Sequence, residues 1–156
     1  MRCLAPLVLF LSVLSCGSVS AGPLSDYLES RLIKHWFQSD TSPDAPATLY
    51  VALGTACGDA AFTELPFAGG YARVGVVANA VNWLGPTANN GTVANGVAIA
   101  FPTASADWGA VFVWGIFDAS TGGNLLVCTP LATARTVTAG ATPKFGVGSL
   151  SVQFDN

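Results

Sequence analysis

Few side chains in this sequence are of the kinds that carry chemistry, and their spacing limits what they can do. The single histidine, His35, stands beside Trp36. A Ser-His-Asp hydrolase would have to use it as the base, yet no Gly-x-Ser-x-Gly elbow occurs, so His35 reads as a structural residue of a helix surface. One His and dispersed Cys residues do not supply the ligands of a zinc site. The nine acidic residues are scattered, which excludes a calcium loop. Asp59 and Glu64 share one segment and could stand across a cleft as a glycosidase pair, but they read more simply as solvated loop acids. The pairs Gly69-Gly70 and Gly122-Gly123 precede strands and belong to turns rather than to a phosphate cradle. No catalytic residue, cofactor or metal is assigned, and the chain is expected not to be an enzyme.

Four tryptophans remain: Trp36, Trp83, Trp108 and Trp114. Trp114 sits in a doubly apolar run and reads as core or interface. Trp83 and Trp108 flank loops, where indoles either stack on sugars or, more often, anchor a protein interface.

The elements that must position these residues begin with one helix at about residues 24–39. Ser25 is placed to cap it, and Asp26 and Glu29 lie in or near its first turn. Leu28, Leu32 and Trp36 recur at four-residue spacing, and Tyr27, Ile33 and Phe37 widen the stripe. Ser-Pro-Asp-Ala-Pro at 42–46 then ends the helix. Everything afterwards reads as strand and turn. Strands are expected at 48–53, 71–78, 97–101, 110–117, 124–131 and 135–138. The strand at 110–117 is apolar on both faces, as for a central strand covered twice. Asp118-Ala-Ser-Thr-Gly-Gly is a hairpin loop, with glycines for positive φ. Residues 55–70 read as a long loop, and Asn90-Gly91 and Asn95-Gly96 as turn dipeptides. At the C-terminus, Phe145 and Val147 have one parity and Leu150, Val152 and Phe154 the other. A bulge near Gly148 reconciles them, or else a bend between sheets. The fold class that follows is mainly β: a β-sandwich, jelly-roll-like, preceded by one N-terminal α-helix.

Composition bears on partners. Apolar residues make up 51% and charged residues 10% of the 156, where soluble domains carry roughly 25% charge. Residues 74–106 contain no charged side chain. So sparse a charge implies a surface covered by neighbours, and hence a homo-oligomer or a subunit docked on another protein. The basic residues of the domain, Arg31, Lys34, Arg73, Arg135 and Lys144, are scattered, which argues against nucleic acid.

Residues 1–21 have a basic start, an apolar run and small residues before Gly22. They form either a secretory signal or an upstream extension of the reading frame. No membrane span is expected in the mature protein. Residues 22–46 then form the helix and linker, and 47–156 the β domain. Cys3 and Cys16 fall in the leader. Cys57 and Cys128 could pair if the protein is secreted, but the expectation is two unpaired thiols.

Several phrases in order resemble a group of small tailed-bacteriophage virion proteins: Leu24-Ser-Asp-Tyr-Leu-Glu-Ser-Arg-Leu, Pro46-Ala-Thr-Leu-Tyr-Val-Ala-Leu, Gly69-Gly-Tyr-Ala-Arg, Ala104-Ser-Ala-Asp-Trp-Gly and Gly115-Ile-Phe-Asp-Ala-Ser-Thr-Gly-Gly-Asn-Leu-Leu. The resemblance runs from about Leu24 to the C-terminus and implies a non-enzymatic virion component. The leading expectation is a capsid cement (decoration) protein that stabilises the major capsid protein shell. The alternatives are a tail-fibre or baseplate subunit, or a secreted carbohydrate-binding β domain. Leu28, Leu32, Trp36, Trp83 and Trp108 are the expected contact residues. The expected location is the virion, on the capsid surface or the tail, or outside the cell after removal of 1–21.

Overall fold

The computed structural model describes residues 23–38, 45–86 and 91–153. The leader with Cys3 and Cys16, the Asn90 turn position and Phe154 lie outside the described residues. The helix is α1, Asp26–Phe37, and Ser25 caps it by accepting from the Leu28 N–H at 3.3 Å. Ten strands follow: β1 Thr48–Gly58, β2 Ala61–Glu64, β3 Val74–Val77, β4 Trp83–Leu84, β5 Thr92–Asn95, β6 Ile99–Ala100, β7 Gly109–Phe117, β8 Leu125–Val137, β9 Lys144–Phe145 and β10 Ser151–Gln153.

All pairings are antiparallel. The main sheet runs β2-β1-β7-β8, with β3 also on β1; β10-β5-β4 and β6-β9 form two smaller sheets. One core joins them, with Val51, Leu53, Val111, Trp114 and Ile116 from the main sheet and Trp83, Ile99, Leu150 and Val152 from the rest. The architecture is therefore mainly β and sandwich-like behind one N-terminal helix, as the apolar alternation implies.

Several expectations are corrected, each by a contact distant in sequence. The segment 55–70 is not simply a loop, because β1 continues to Gly58 and pairs with β2. Small residues at 55–58 conceal the alternation there, and a register break between Gly54 and Ala56 swings the hairpin over the sheet. The hairpin's Phe62 then covers two glycines: a Cβ on Gly115 would meet its ring at 2.9 Å, and one on Gly54 at 2.8 Å. The double cover expected of β7 thus holds only for its second half, Val113 to Phe117, while Ala110 and Phe112 are exposed.

The strands expected at 124–131 and 135–138 are one, β8, whose ladder with β7 shifts register between Val111 and Val113. Pro130, which brings no N–H, pairs at that shift. The C-terminal parity conflict is settled by a bend. Gly148 takes φ +72°, β9 pairs with β6, and β10 pairs with β5 in another sheet. Asn95, expected in a turn, is fully buried in β5. Its side chain accepts from Leu150 N–H and donates to the carbonyls of Val97 and Gly146, so it holds that bend from inside.

Cys57 and Cys128, expected as free thiols, form a disulfide with Cα atoms 6.2 Å apart. The hairpin that folds over β7 carries Cys57 to β8, an approach that linear spacing does not reveal.

Candidate functional site

Two features of the structure bear on function: a helix attached by one end, and the polar network that braces the sheet beside it.

The helix is tied down only through its first turn. Ser25 N–H donates to the Leu126 carbonyl at 3.0 Å, and its hydroxyl donates to that of Leu125. Leu24 bridges Val127, and Cys128 N–H donates to the Pro23 carbonyl. Asp26 N–H reaches the Asp59 carbonyl at the hairpin tip, 3.0 Å away. Beyond this anchor only Tyr27 and Leu28 pack on the core, and no residue of α1 is buried. Leu32 is 40% exposed, Ile33 53%, Trp36 76% and Phe37 85%, so the second half of the helix presents an apolar stripe to solvent. The acids Asp26 and Glu29 at the start and the bases Lys34 and His35 at the end suit the helix dipole.

The bracing network centres on Arg73. Its guanidinium grips the Glu64 carboxylate with two bonds, Nε–Oε1 at 2.8 Å and Nη2–Oε2 at 2.6 Å, and both side chains are largely buried. Its third nitrogen donates to the carbonyls of Ala119 and Gly122, which locks the β7–β8 loop, and its carbon lies 3.6 Å from the Phe117 ring centre. Glu64 also accepts from the Tyr71 hydroxyl at 2.9 Å, and that hydroxyl receives the Leu53 N–H. Trp108 packs edge-on to Tyr71 and donates to the Gly69 carbonyl at 2.7 Å. Asp118 closes the loop by accepting from the backbone and side chain of Asn124. The phrases around Gly69, Ala104 and Gly115 therefore meet in one place, and α1 hangs from the end of the third. Together these contacts brace the main sheet and the β7–β8 loop.

Burial, and next the nearby Glu64 charge, push the Tyr71 hydroxyl far above the phenol's ordinary value of 10.0, against the Leu53 hydrogen bond. The fold thus favours the neutral phenol. Its contribution to stability is complete below pH 10 and declines as pH rises further. A rapid alkaline scan should show a tyrosinate absorbance step that coincides with loss of the near-UV circular dichroism signal. A Tyr71 that ionises in the folded protein near pH 10 contradicts this.

The expected contact residues separate into two groups. Leu32 and Trp36 are exposed on α1, and Leu28 is half-buried beside the anchor. Trp83 is 7% exposed within the core, and its indole N–H has no partner. Trp108 is half-buried, its ring used on Tyr71 and its N–H on Gly69. Trp83 also lines a cavity with Leu49, Val93 and Ile116, while the Trp108 indole N–H is already engaged by the Gly69 carbonyl. Ile33 and Phe37 were legible as part of the stripe, but not that both stand exposed, Phe37 most of all. Arg73 read as a scattered charge and Glu64 as a solvated one; the two are an ion pair. Among the described residues no group of three or more His, Cys, Asp or Glu side chains converges on a point, and no helix is long and apolar enough to cross a membrane.

The architecture is a β-rich module whose helix α1 leaves its apolar stripe exposed. The family model Gp80, described as podophage GP4 fiber I protein gp80, matches residues 23–153, and the chain belongs to this family. It is thus a structural protein of the phage virion, and the family supports a fibre protein over the capsid cement that headed the expectations. No curated protein matches the chain.

Proposed function

We propose that this chain is a non-enzymatic tail-fibre subunit that assembles with copies of itself through α1. One observation carries the reading: Leu32, Ile33, Trp36 and Phe37 stand exposed on a helix fastened at its other end. Fully burying a large apolar side chain stabilises by roughly 1.5–3 kcal/mol, so four of them supply a substantial part of an association free energy. Self-association also agrees with the 10% charged composition. The disulfide suits a particle that persists in oxidising surroundings.

Sedimentation of the full chain tests the assembly. The parent protein is expected to form a defined oligomer, and Trp36→Ser/Phe37→Ser a monomer with the same far-UV spectrum. A parent chain that remains monomeric at high concentration removes the proposal. On particles, antibody labelling is expected at the tail, and labelling of the head restores the decoration reading.

A further inference from the structure

The two cations farthest along the sequence, Arg135 and Lys144, are drawn to the same cleft. It opens where the second half of β8 meets the β6–β9 sheet, and has a volume of about 230 Å³. Phe101, Val111 and Phe145 contribute to its apolar lining. The phenyl rings are fixed by each other at 6.2 Å and by Trp114 at 6.3 Å from Phe145. Arg135 and Thr136 line it from β8; Thr142 and Lys144 line it from the segment leading into and through β9. The Thr142 hydroxyl is steadied by Thr103 at 2.8 Å.

The charge pattern is unusual for this molecule. The chain carries net charge −3, and Arg73 is paired with Glu64. Arg135 and Lys144 have no acidic partner among the described residues, and no acidic side chain lines the cleft. Two cations and two hydroxyls over an aromatic-bearing apolar lining complement a ligand with an anionic edge, hydroxyl groups and an apolar face. A carboxylated sugar ring has all three features. A cleft of 230 Å³ lies below the roughly 300–1,000 Å³ of drug-sized sites, so it suits one ring rather than a chain. We infer that this cleft is a binding site for a single uronic-acid-type sugar, with Arg135 and Lys144 holding the carboxylate. This assignment uses neither Trp83 nor Trp108. It is independent of assembly through α1, which meets the opposite end of β8.

The test is an NMR titration of the full-length isotope-labelled chain with sodium glucuronate at constant ionic strength. Trp36→Ser/Phe37→Ser is titrated in parallel so that self-association cannot mask binding. Saturable shifts are expected at the amides of Arg135, Thr136, Thr142 and Lys144. Neutral glucose, benzoate and inorganic phosphate are each expected to bind at least about tenfold more weakly. Arg135→Gln/Lys144→Gln, both exposed positions, should lose at least about tenfold in affinity for glucuronate with an unchanged melting temperature. The proposal is overturned by the absence of saturable shifts, or by equal binding of glucose, benzoate or phosphate. It is also overturned if the double variant binds glucuronate as the parent does.

Discussion

Arg73→Ala is expected to destabilise the fold by about 3–5 kcal/mol, the range for removing one member of a buried ion pair. The substitution leaves the Glu64 carboxylate with only the Tyr71 hydroxyl beside it, and strands the carbonyls of Ala119 and Gly122. It also strips the cation from the Phe117 face. Urea denaturation should show the midpoint falling with little change in slope. Arg73→Lys should recover only part of the loss, since an ammonium keeps the charge but not the fork that meets both carboxylate oxygens. Removing both charges as Glu64→Leu/Arg73→Met should be less damaging than Arg73→Ala, because no unpaired charge stays behind. Equal stability of Arg73→Ala and the parent would falsify the view that this node braces the sheet.

Reduction of Cys57–Cys128, or Cys128→Ser, is expected to cost a comparable amount. The residues are 71 apart in sequence, and chain-entropy reasoning gives roughly 4 kcal/mol for a loop of that order. The effect also has a location. The disulfide clamps the hairpin tip to β8, and the first turn of α1 is hydrogen-bonded to both, through Asp59 on one and Leu125 and Leu126 on the other. Hydrogen exchange should therefore quicken first at residues 24–28, before the β7–β8 ladder opens. Uniform exchange with no early loss at α1 would show that the helix does not depend on the clamp.

The two experiments examine features that were unequally legible in the chain. Ser25 as a helix cap, the four-residue stripe of α1 and the β7 and β8 runs follow from interactions within a few residues, and each was readable. The hairpin glycines were readable too: Gly122 and Gly123 take φ +59° and +69°, and a Cβ on Gly123 would strike Ala119 Cβ at 2.6 Å. The partnerships of Arg73 and Cys57 were not. Arg73 is 46 residues from Ala119, and Cys57 is 71 from Cys128. Nothing in the local pattern around either residue records the distant partner.

Sequence alone determined most of the element types, because propensity, capping and alternation act between near neighbours; the class of protein came from the resemblance of its phrases to phage virion proteins. It also determined the apolar stripe of α1, though not that the stripe is left uncovered. Tertiary structure decided which cysteines meet, which acids are paired, that Trp83 is buried and Trp108 half-buried on Tyr71, and that Arg135 and Lys144 share a cleft. The physical reason is the curl of the main sheet. A register break after Gly54 folds one hairpin across β7, and the bend at Gly148 moves the C-terminal strand to another sheet. Those two turns in space bring Cys57 to β8 and set β10 beside β5.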